Sequence, residues 1–173
     1  MGTIMADATT AILITLDPAH EGGFQKNPND RANWTGGQIG VGTLVGTNGG
    51  ITALDMPGVD IEHLTTTQKI AYYLEHYWKP FYSQINSQLI ANKLFDMGVL
   101  FGIGTAIKRL QMVLGVTPDG NFGQMTLVVL NKADRTFVLN AFIKQMTIHA
   151  EEVAAANPVE AAFLPDWKRR IDS

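Results

Sequence analysis

The sequence contains no cysteine. Disulfide frameworks, thiolate metal sites and cysteine nucleophiles are therefore excluded, and the composition leaves the redox compartment open. No apolar run approaches the ~20 residues that span a bilayer, so we expect no stable membrane insertion. The histidines are few and scattered, so we expect no metal site.

Positive charge is also sparse. The 173 residues carry a formal net charge of −3, and Lys168-Arg169-Arg170 is the one basic cluster. Nucleic acid is therefore not an expected partner. No lysine or arginine precedes Lys26, so the basic segment of a secretory signal peptide is lacking. A hydrophobic fraction of 46% and a charged fraction of 17% are typical of a globular protein.

Helical patterns enclose a long irregular stretch. From Gly22 to about Leu64, glycine, asparagine, proline and threonine dominate, and some short strands are expected around Gln38–Val45. An irregular segment of this length is unusual unless it is functional, so we interpret it as the substrate-facing lobe. Periodicity and capping predict helices over about residues 8–20, 65–78, 83–97, 101–114, 124–132 and 135–156, with a short amphipathic segment after Pro158.

Glu21 is the candidate catalytic group. It ends a predominantly apolar segment and is followed by Gly22 and Gly23. Apolar neighbours can desolvate its carboxyl group, and the glycines allow the backbone to approach a ligand closely. These features predict a catalytic acid beside a sugar cleft; the structural alternative is a solvated glutamate at a helix end.

Two stretches resemble the glycoside hydrolase family 108 muramidases, which are phage endolysins and related bacterial lysozyme-like proteins. They are Glu21-Gly22-Gly23-Phe24 with Asn29-Asp30, and Thr47-Asn48-Gly49-Gly50-Ile51-Thr52. Tyr77-Trp78-Lys79-Pro80, the segment from Asp96 to Gly102, and Trp167 with Arg170 extend the match. The resemblance implies a mainly α-helical, lysozyme-like bundle with an irregular N-terminal lobe containing short β-strands.

The C-terminal half carries a second resemblance. The run that includes Leu110-Gln111, Asp119-Gly120 and Phe122-Gly123 is similar to the core of small helical peptidoglycan-binding domains. We therefore predict a catalytic region over residues 1–95 and a peptidoglycan-binding-like region over residues 96–173, packed as one compact unit. The Asp119-Gly120 turn itself is expected to be mainly structural.

The family resemblance implies roles for individual residues. Glu21 is the expected general acid, and Asp30 is expected to orient a water molecule or to stabilise positive charge at the anomeric carbon. Thr47 is expected to hold that water, although Thr35 lies closer to Asp30 in sequence and competes for this role. The expected substrate contacts are Trp34 by stacking, Asn48, Gly50, and Asp96, which either faces the cleft or caps a neighbouring helix.

The implied activity is hydrolysis of the β-1,4 bond between N-acetylmuramic acid and N-acetylglucosamine in bacterial peptidoglycan, without a cofactor. A lytic transglycosylase, a chitinase-like glycosidase and a non-catalytic wall-binding protein are the alternatives. We expect a monomer that acts in phage-mediated lysis, held in the host cytoplasm until a holin releases it to the periplasm or cell wall. A bacterial effector delivered by a secretion system is the second expectation.

Three positions depart from the family pattern. The segment Arg31–Gly46 is longer than the short connection of many relatives. Gly49 replaces a common aromatic residue, and Leu100 replaces a common asparagine. The longer segment is expected to reshape the contacts made with the substrate.

Overall fold

A computed structural model describes residues 5–17, 20 and 23–173. The chain forms two compact units. The helical unit comprises the described residues of Met1–Ile12 together with His76–Ser173, and the loop-rich unit comprises the described residues of Leu13–Glu75. Helix α1 (Ala8–Thr15) begins in the first unit and ends in the second.

Five helices build most of the helical unit. They are α3 (Gln88–Phe101), α4 (Ile103–Leu114), α5 (Gln124–Lys132), α6 (Arg135–Ala156) and α7 (Leu164–Asp172). Helix α6 packs against α3, α4 and α7, so it forms the centre of the unit. Its Phe142 and Met146 are fully buried, as are Ile107 and Leu110 from the apolar stripe predicted on α4.

Local chemistry sets the helix ends. Asp134 caps α6, where its Oδ1 accepts a hydrogen bond from the Phe137 backbone N–H at 2.8 Å. Gly115 ends α4 in the left-handed conformation at φ +67°. Gly102 separates α3 from α4. Its φ angle of +91° is a conformation that strongly favours glycine.

Two predicted helices have wrong boundaries. The helix expected over 83–97 runs from Gln88 to Phe101, with Ser87 as its N-cap. A short 3₁₀ helix, Tyr82–Gln84, precedes it, and the connection between the two is bound by Asn131. Its Oδ1 accepts from Asn86 N–H at 2.9 Å, and its Nδ2 donates to the Gln84 carbonyl at 2.8 Å. The first helix, expected to reach residue 20, ends at Thr15. Asp17 precedes a proline, a position that disfavours helical backbone.

The predicted capping box at the start of α2 (Thr66–His76) is confirmed. The Gln68 N–H donates to Thr65 Oγ1 at 3.2 Å, and Gln68 Oε1 accepts from the Thr65 N–H at 2.9 Å. These reciprocal bonds satisfy two backbone donors that the first helical turn leaves unpaired.

A small antiparallel sheet lies in the loop-rich unit. Its strands β1 (Phe24–Gln25), β2 (Thr47–Asn48) and β3 (Ile51–Thr52) stand in sequence order. Strands predicted around Gln38–Val45 were therefore misplaced. That segment instead belongs to a looped hairpin over residues 34–44, closed by a bridge between Trp34 and Leu44.

Glycine geometry explains why regular strands do not form in this hairpin. Gly37, Gly40 and Gly42 all have positive φ angles, which interrupt an extended backbone. The prediction of a mainly α-helical, lysozyme-like fold with short N-terminal strands is confirmed. Within the part of the chain that the structure describes, no helix is both long and apolar enough to cross a bilayer.

Candidate functional site

The predicted acid, Glu21, lies outside the described residues. Its role therefore stays a prediction. The structure does describe β1, which begins three positions later in the sequence, and the other residues expected to act with Glu21.

The sheet presents one polar face. Gln25 on β1 pairs with Thr47 on β2, and Thr47 pairs with Thr52 on β3. Residues directly opposite one another in neighbouring strands share a face, so these three polar side chains lie on the same side of the sheet. The opposite positions on β2 and β3 are Asn48 and Ile51, and both are buried.

Asn33 connects this polar face to the preceding loop. Its side chain is 0% exposed. The Oδ1 atom accepts from Thr47 Oγ1 at 2.7 Å and from Gln25 Nε2 at 3.1 Å. The Nδ2 atom donates to Gln25 Oε1 at 2.7 Å and to the Asn27 carbonyl at 2.9 Å. Both donors and both acceptor positions of the amide are therefore occupied.

Asp30 joins the same network through Gln25. Its Oδ2 accepts from Gln25 Nε2 at 3.0 Å. Its Oδ1 accepts from the Ala32 N–H at 2.9 Å, which caps the 3₁₀ helix Arg31–Asn33. Asp30 therefore combines a local capping role with a hydrogen bond to Gln25. Each carboxylate oxygen retains further lone-pair capacity toward a ligand or water.

The structure places Thr47, and not Thr35, in this network. Thr47 donates its hydroxyl proton to the buried Asn33 side chain. The hydroxyl oxygen of Thr47 therefore keeps a lone pair that can accept a hydrogen bond from water. Thr35 Oγ1 accepts from the Thr43 N–H at 2.8 Å inside the 34–44 hairpin. Of the two threonines, Thr47 therefore shares a hydrogen-bonded network with Asp30.

Asn48 has a structural explanation. It is 5% exposed, and its Nδ2 donates to the carbonyls of Ile61 and Glu62, each at 3.0 Å. Its Oδ1 accepts from Lys69 Nζ on α2. These contacts fix the β2–β3 hairpin, and the expected substrate contact of Asn48 stays a prediction.

Gly50 lies in the turn of that hairpin. Gly49 and Gly50 have φ angles of +57° and +77°, as a two-residue type I′ turn requires. Tyr73 on α2 donates its hydroxyl to the Gly49 carbonyl at 2.8 Å. Gly50 is exposed, so its predicted contact with substrate, made through the backbone, stays a prediction.

Lys69 positions the same hairpin from α2. Burial lowers the pKa of its amino group. A Cβ atom added at Gly49 would lie 3.3 Å from Lys69 Cδ and 3.3 Å from Leu16 Cδ2. The glycine that stands in place of the family's aromatic residue therefore fits a turn packed closely against α2.

Trp34 is half-buried, directly after Asn33. Its indole N–H donates to the Pro28 carbonyl at 2.9 Å, which fixes one edge of the ring. The proposed stacking of Trp34 on a sugar stays a prediction.

Asp96 was expected beside a cleft or at a helix cap, and the structure places it elsewhere. It lies inside the helical unit, 2% exposed, and its Oδ1 accepts from Arg170 Nη2 at 2.8 Å and from Arg170 Nε at 3.1 Å. Arg170 is itself 7% exposed. This buried ion pair joins α3 to α7 and gives Asp96 a structural role, while its expected substrate contact stays a prediction.

Gln25 and Asn33 were missed by sequence reasoning. Both are uncharged residues in an irregular stretch where asparagine is common, so composition does not distinguish them. The pairing of Gln25 with Thr47 is the signal that identifies them, and this register is visible only once the strands are placed. Among the described residues, no group of three or more histidine, aspartate or glutamate side chains is arranged to hold a metal ion.

Comparison with known proteins identifies the segment that contains this network. Residues 17–102 match the family described as Glycosyl hydrolase 108. This match supports a glycoside hydrolase and is consistent with a peptidoglycan substrate. The glycosyl hydrolase 108 segment includes Glu21, Asp30 and Thr47, and it ends before α4. Peptidoglycan binding by the C-terminal half therefore stays a prediction.

The fold has a counterpart among solved structures. The structure of SagA from Brucella abortus is similar with a TM-score of 0.72 and 22% sequence identity, over 95% of this chain and 89% of that chain. At this level of identity the likeness shows the fold alone. No curated protein matches the chain.

Proposed function

We propose that this protein is an N-acetylmuramidase that hydrolyses the β-1,4 bond between N-acetylmuramic acid and N-acetylglucosamine. The observation that carries the proposal is the hydrogen-bonded network through which Asn33 and Gln25 connect Asp30 to Thr47. This network lies within the glycosyl hydrolase 108 segment and begins on the strand that follows Glu21.

In this mechanism Glu21 protonates the bridging oxygen as the glycosidic bond breaks. Glycosidases require a protonated carboxylic acid at the leaving group and a second group that directs water or stabilises the sugar cation. Thr47 and Asp30 hold the attacking water, because each presents an oxygen acceptor on the same network. The water oxygen bonds to the anomeric carbon, and its proton passes to Asp30.

Hydrolysis of purified peptidoglycan sacculi tests the activity. Mass spectrometry of the products should show reducing muramic acid ends. Products with 1,6-anhydro ends would identify a lytic transglycosylase, and reducing N-acetylglucosamine ends would identify a different bond. If the parent protein sediments with sacculi and releases no product, the chain is a wall-binding protein.

Conservative substitutions test the residue roles. We expect Glu21→Gln to reduce the rate at least about 100-fold, the lower end of the contribution of a general acid. Asp30→Asn should reduce the rate with little change in thermal stability, and Thr47→Val should reduce the rate with a loss of about 0.5–1.5 kcal/mol, because it removes the hydrogen bond to Asn33. Glu75→Gln is the matched control, since Glu75 is exposed on α2. A Glu21→Gln protein as active as Glu75→Gln would show that Glu21 is not the acid.

For the biological role, we propose lysis of a bacterial host by a phage. The protein would act as a monomer and reach the periplasm through a holin. Expression of the chain in bacteria with and without a holin tests this, and lysis should require both. Lysis of neighbouring cells, prevented by an immunity protein, would instead support the bacterial effector.

A further inference from the structure

A groove lies beside the polar network in the loop-rich unit. It has a volume of 510 Å³, within the range of ligand-binding sites. Five apolar residues line it: Val45, Ala53, Leu54, Pro57 and Val59. One wall comes from the 34–44 hairpin and its connection to β2, and the other comes from the chain that follows β3.

The groove adjoins the hydrogen-bonded network through Val45, which lines it. The backbone N–H groups of Val45 and Gly46 both donate to the Asn33 carbonyl, at 2.9 and 3.1 Å. Ala53, another lining residue, directly follows Thr52 in the sequence. A polymer strand bound along the network would therefore have the groove beside it.

The hairpin wall is held in place by close packing. A Cβ atom added at Gly37 would lie 3.0 Å from Leu54 Cδ1, so the glycine lets the hairpin approach the opposite wall. Gly37 also has φ +68°, which favours glycine independently.

The lining chemistry favours one class of ligand. The described lining contains no aromatic ring and no side-chain amide, so it offers neither a flat face for a sugar ring nor amide groups for its hydroxyls. Its walls instead carry methyl groups. The one ionisable lining residue is Asp60, exposed at the rim, where it also contacts His63 Nδ1 at 2.9 Å.

We infer that this groove binds the stem peptide carried by the muramic acid residues of the wall polymer. Stem peptides combine alanine methyl groups with a free amino group on a diamino acid. The methyl groups match the apolar walls, and the amino group matches the Asp60 carboxylate. The inference rests on the proposed function, because the polymer must first lie along Asp30 and Thr47. Binding of the stem peptide in this groove would make the enzyme selective for polymer strands that carry peptides.

Two substrates test this selectivity: intact peptidoglycan, and strands from which an amidase has removed the peptides. The parent enzyme should cleave peptide-bearing strands with a kcat/KM about tenfold higher, the ratio expected for about 1.4 kcal/mol of added binding. Ala53→Leu, which fills the groove, and Asp60→Asn, which removes its charge, should each reduce that ratio. Equal rates on both substrates with the parent enzyme would overturn the inference.

Matched controls lie outside the groove. Ala71→Leu adds the same bulk at an exposed position on α2, and Glu62→Gln removes one negative charge at an exposed position near Asp60. Both controls should retain the parent ratio. If either control lowers the ratio as much as its groove variant, the groove is not the cause.

A binding measurement keeps the inference separate from the catalytic proposal. Titration of the ¹⁵N-labelled parent protein with a synthetic alanine-containing tetrapeptide stem should shift the amide signals of Thr35, Ala53 and Gly58. If the enzyme cleaves neither substrate, the proposed function fails, and this titration alone decides the groove. Cleavage of wall polymer without shifts at these amides would overturn the groove assignment and leave the activity intact.

Discussion

Replacing Asn33 by alanine is expected to loosen the loop-rich unit. The side chain is fully buried and forms hydrogen bonds through both donors and both acceptor positions. At about 0.5–1.5 kcal/mol for each bond, the combined loss lies between about 2 and 6 kcal/mol. Gln25 and Asn27 are exposed and can regain bonds with water, so we expect the lower end, about 2–3 kcal/mol.

Native-state hydrogen exchange measures this loss at its site. The amides of Val45 and Gly46 donate to the Asn33 backbone carbonyl, so their exchange reports on opening of this loop. A loss of about 2–3 kcal/mol should accelerate their exchange about 30- to 150-fold. Buried amides of α6 in the helical unit provide an internal reference whose exchange should not change.

The neighbouring substitution Asn29→Ala is the matched control, because Asn29 is exposed in the same segment. It should leave exchange at Val45 and Gly46 unchanged. The reasoning is refuted if these two amides exchange at rates within roughly twofold in the two variants, since the network would then not determine local opening.

Three further predictions concern the helical unit. Arg170→Met should destabilise this unit by about 3–5 kcal/mol, because Asp96 stays buried without the guanidinium. The melting temperature, followed by circular dichroism, should fall by about 6–20 °C. Further replacement of Asp96 by leucine should restore much of the lost melting temperature. Tyr82→Phe should leave the free energy of unfolding unchanged or raise it by about 1 kcal/mol in urea titrations, because the buried hydroxyl has no hydrogen-bonding partner among the described residues. A clear decrease in the free energy of unfolding would contradict this. Burial, and then the Arg109 guanidinium, lower the pKa of His149 below its ordinary value of 6.5. The contribution of His149 to stability is therefore present above pH 6.5 and is lost as the pH falls through the pKa of the folded state. Urea titrations across this pH range should show less pH dependence in His149→Gln than in the parent.

Helix positions were predictable from sequence where local chemistry determines them. The capping box of Thr65 and Gln68 and the cap at Asp134 lie within one helical turn of the residues they bind. The start of α3 was predicted too early in a segment that makes a distant contact. Asn131 binds the residues before α3, and it is 47 residues beyond Gln84, to whose carbonyl it donates.

The candidate site shows the same division. The run from Thr47 to Thr52 is recognisable as a motif. Within this run, the Asn48 side chain has a structural role, because it accepts a hydrogen bond from Lys69 and fixes the hairpin. Asn33 lies in a polar loop without periodicity, so its burial follows from tertiary contacts that no local pattern predicts. The burial of Asp96 likewise depends on a distant residue, because its partner Arg170 is 74 residues away.

The pair formed by Asp96 and Arg170 bears on how the protein is made. Ribosomes build the chain from its N-terminus, so Asp96 on α3 is synthesised well before Arg170, whose guanidinium pairs with its carboxylate. Until Arg170 emerges, enclosing Asp96 would require burial of a carboxylate without that counter-charge, which is costly. The helices of this unit are thus expected to consolidate late, after α7 has left the ribosome, and a stall before that point would hold them in a loosely packed state.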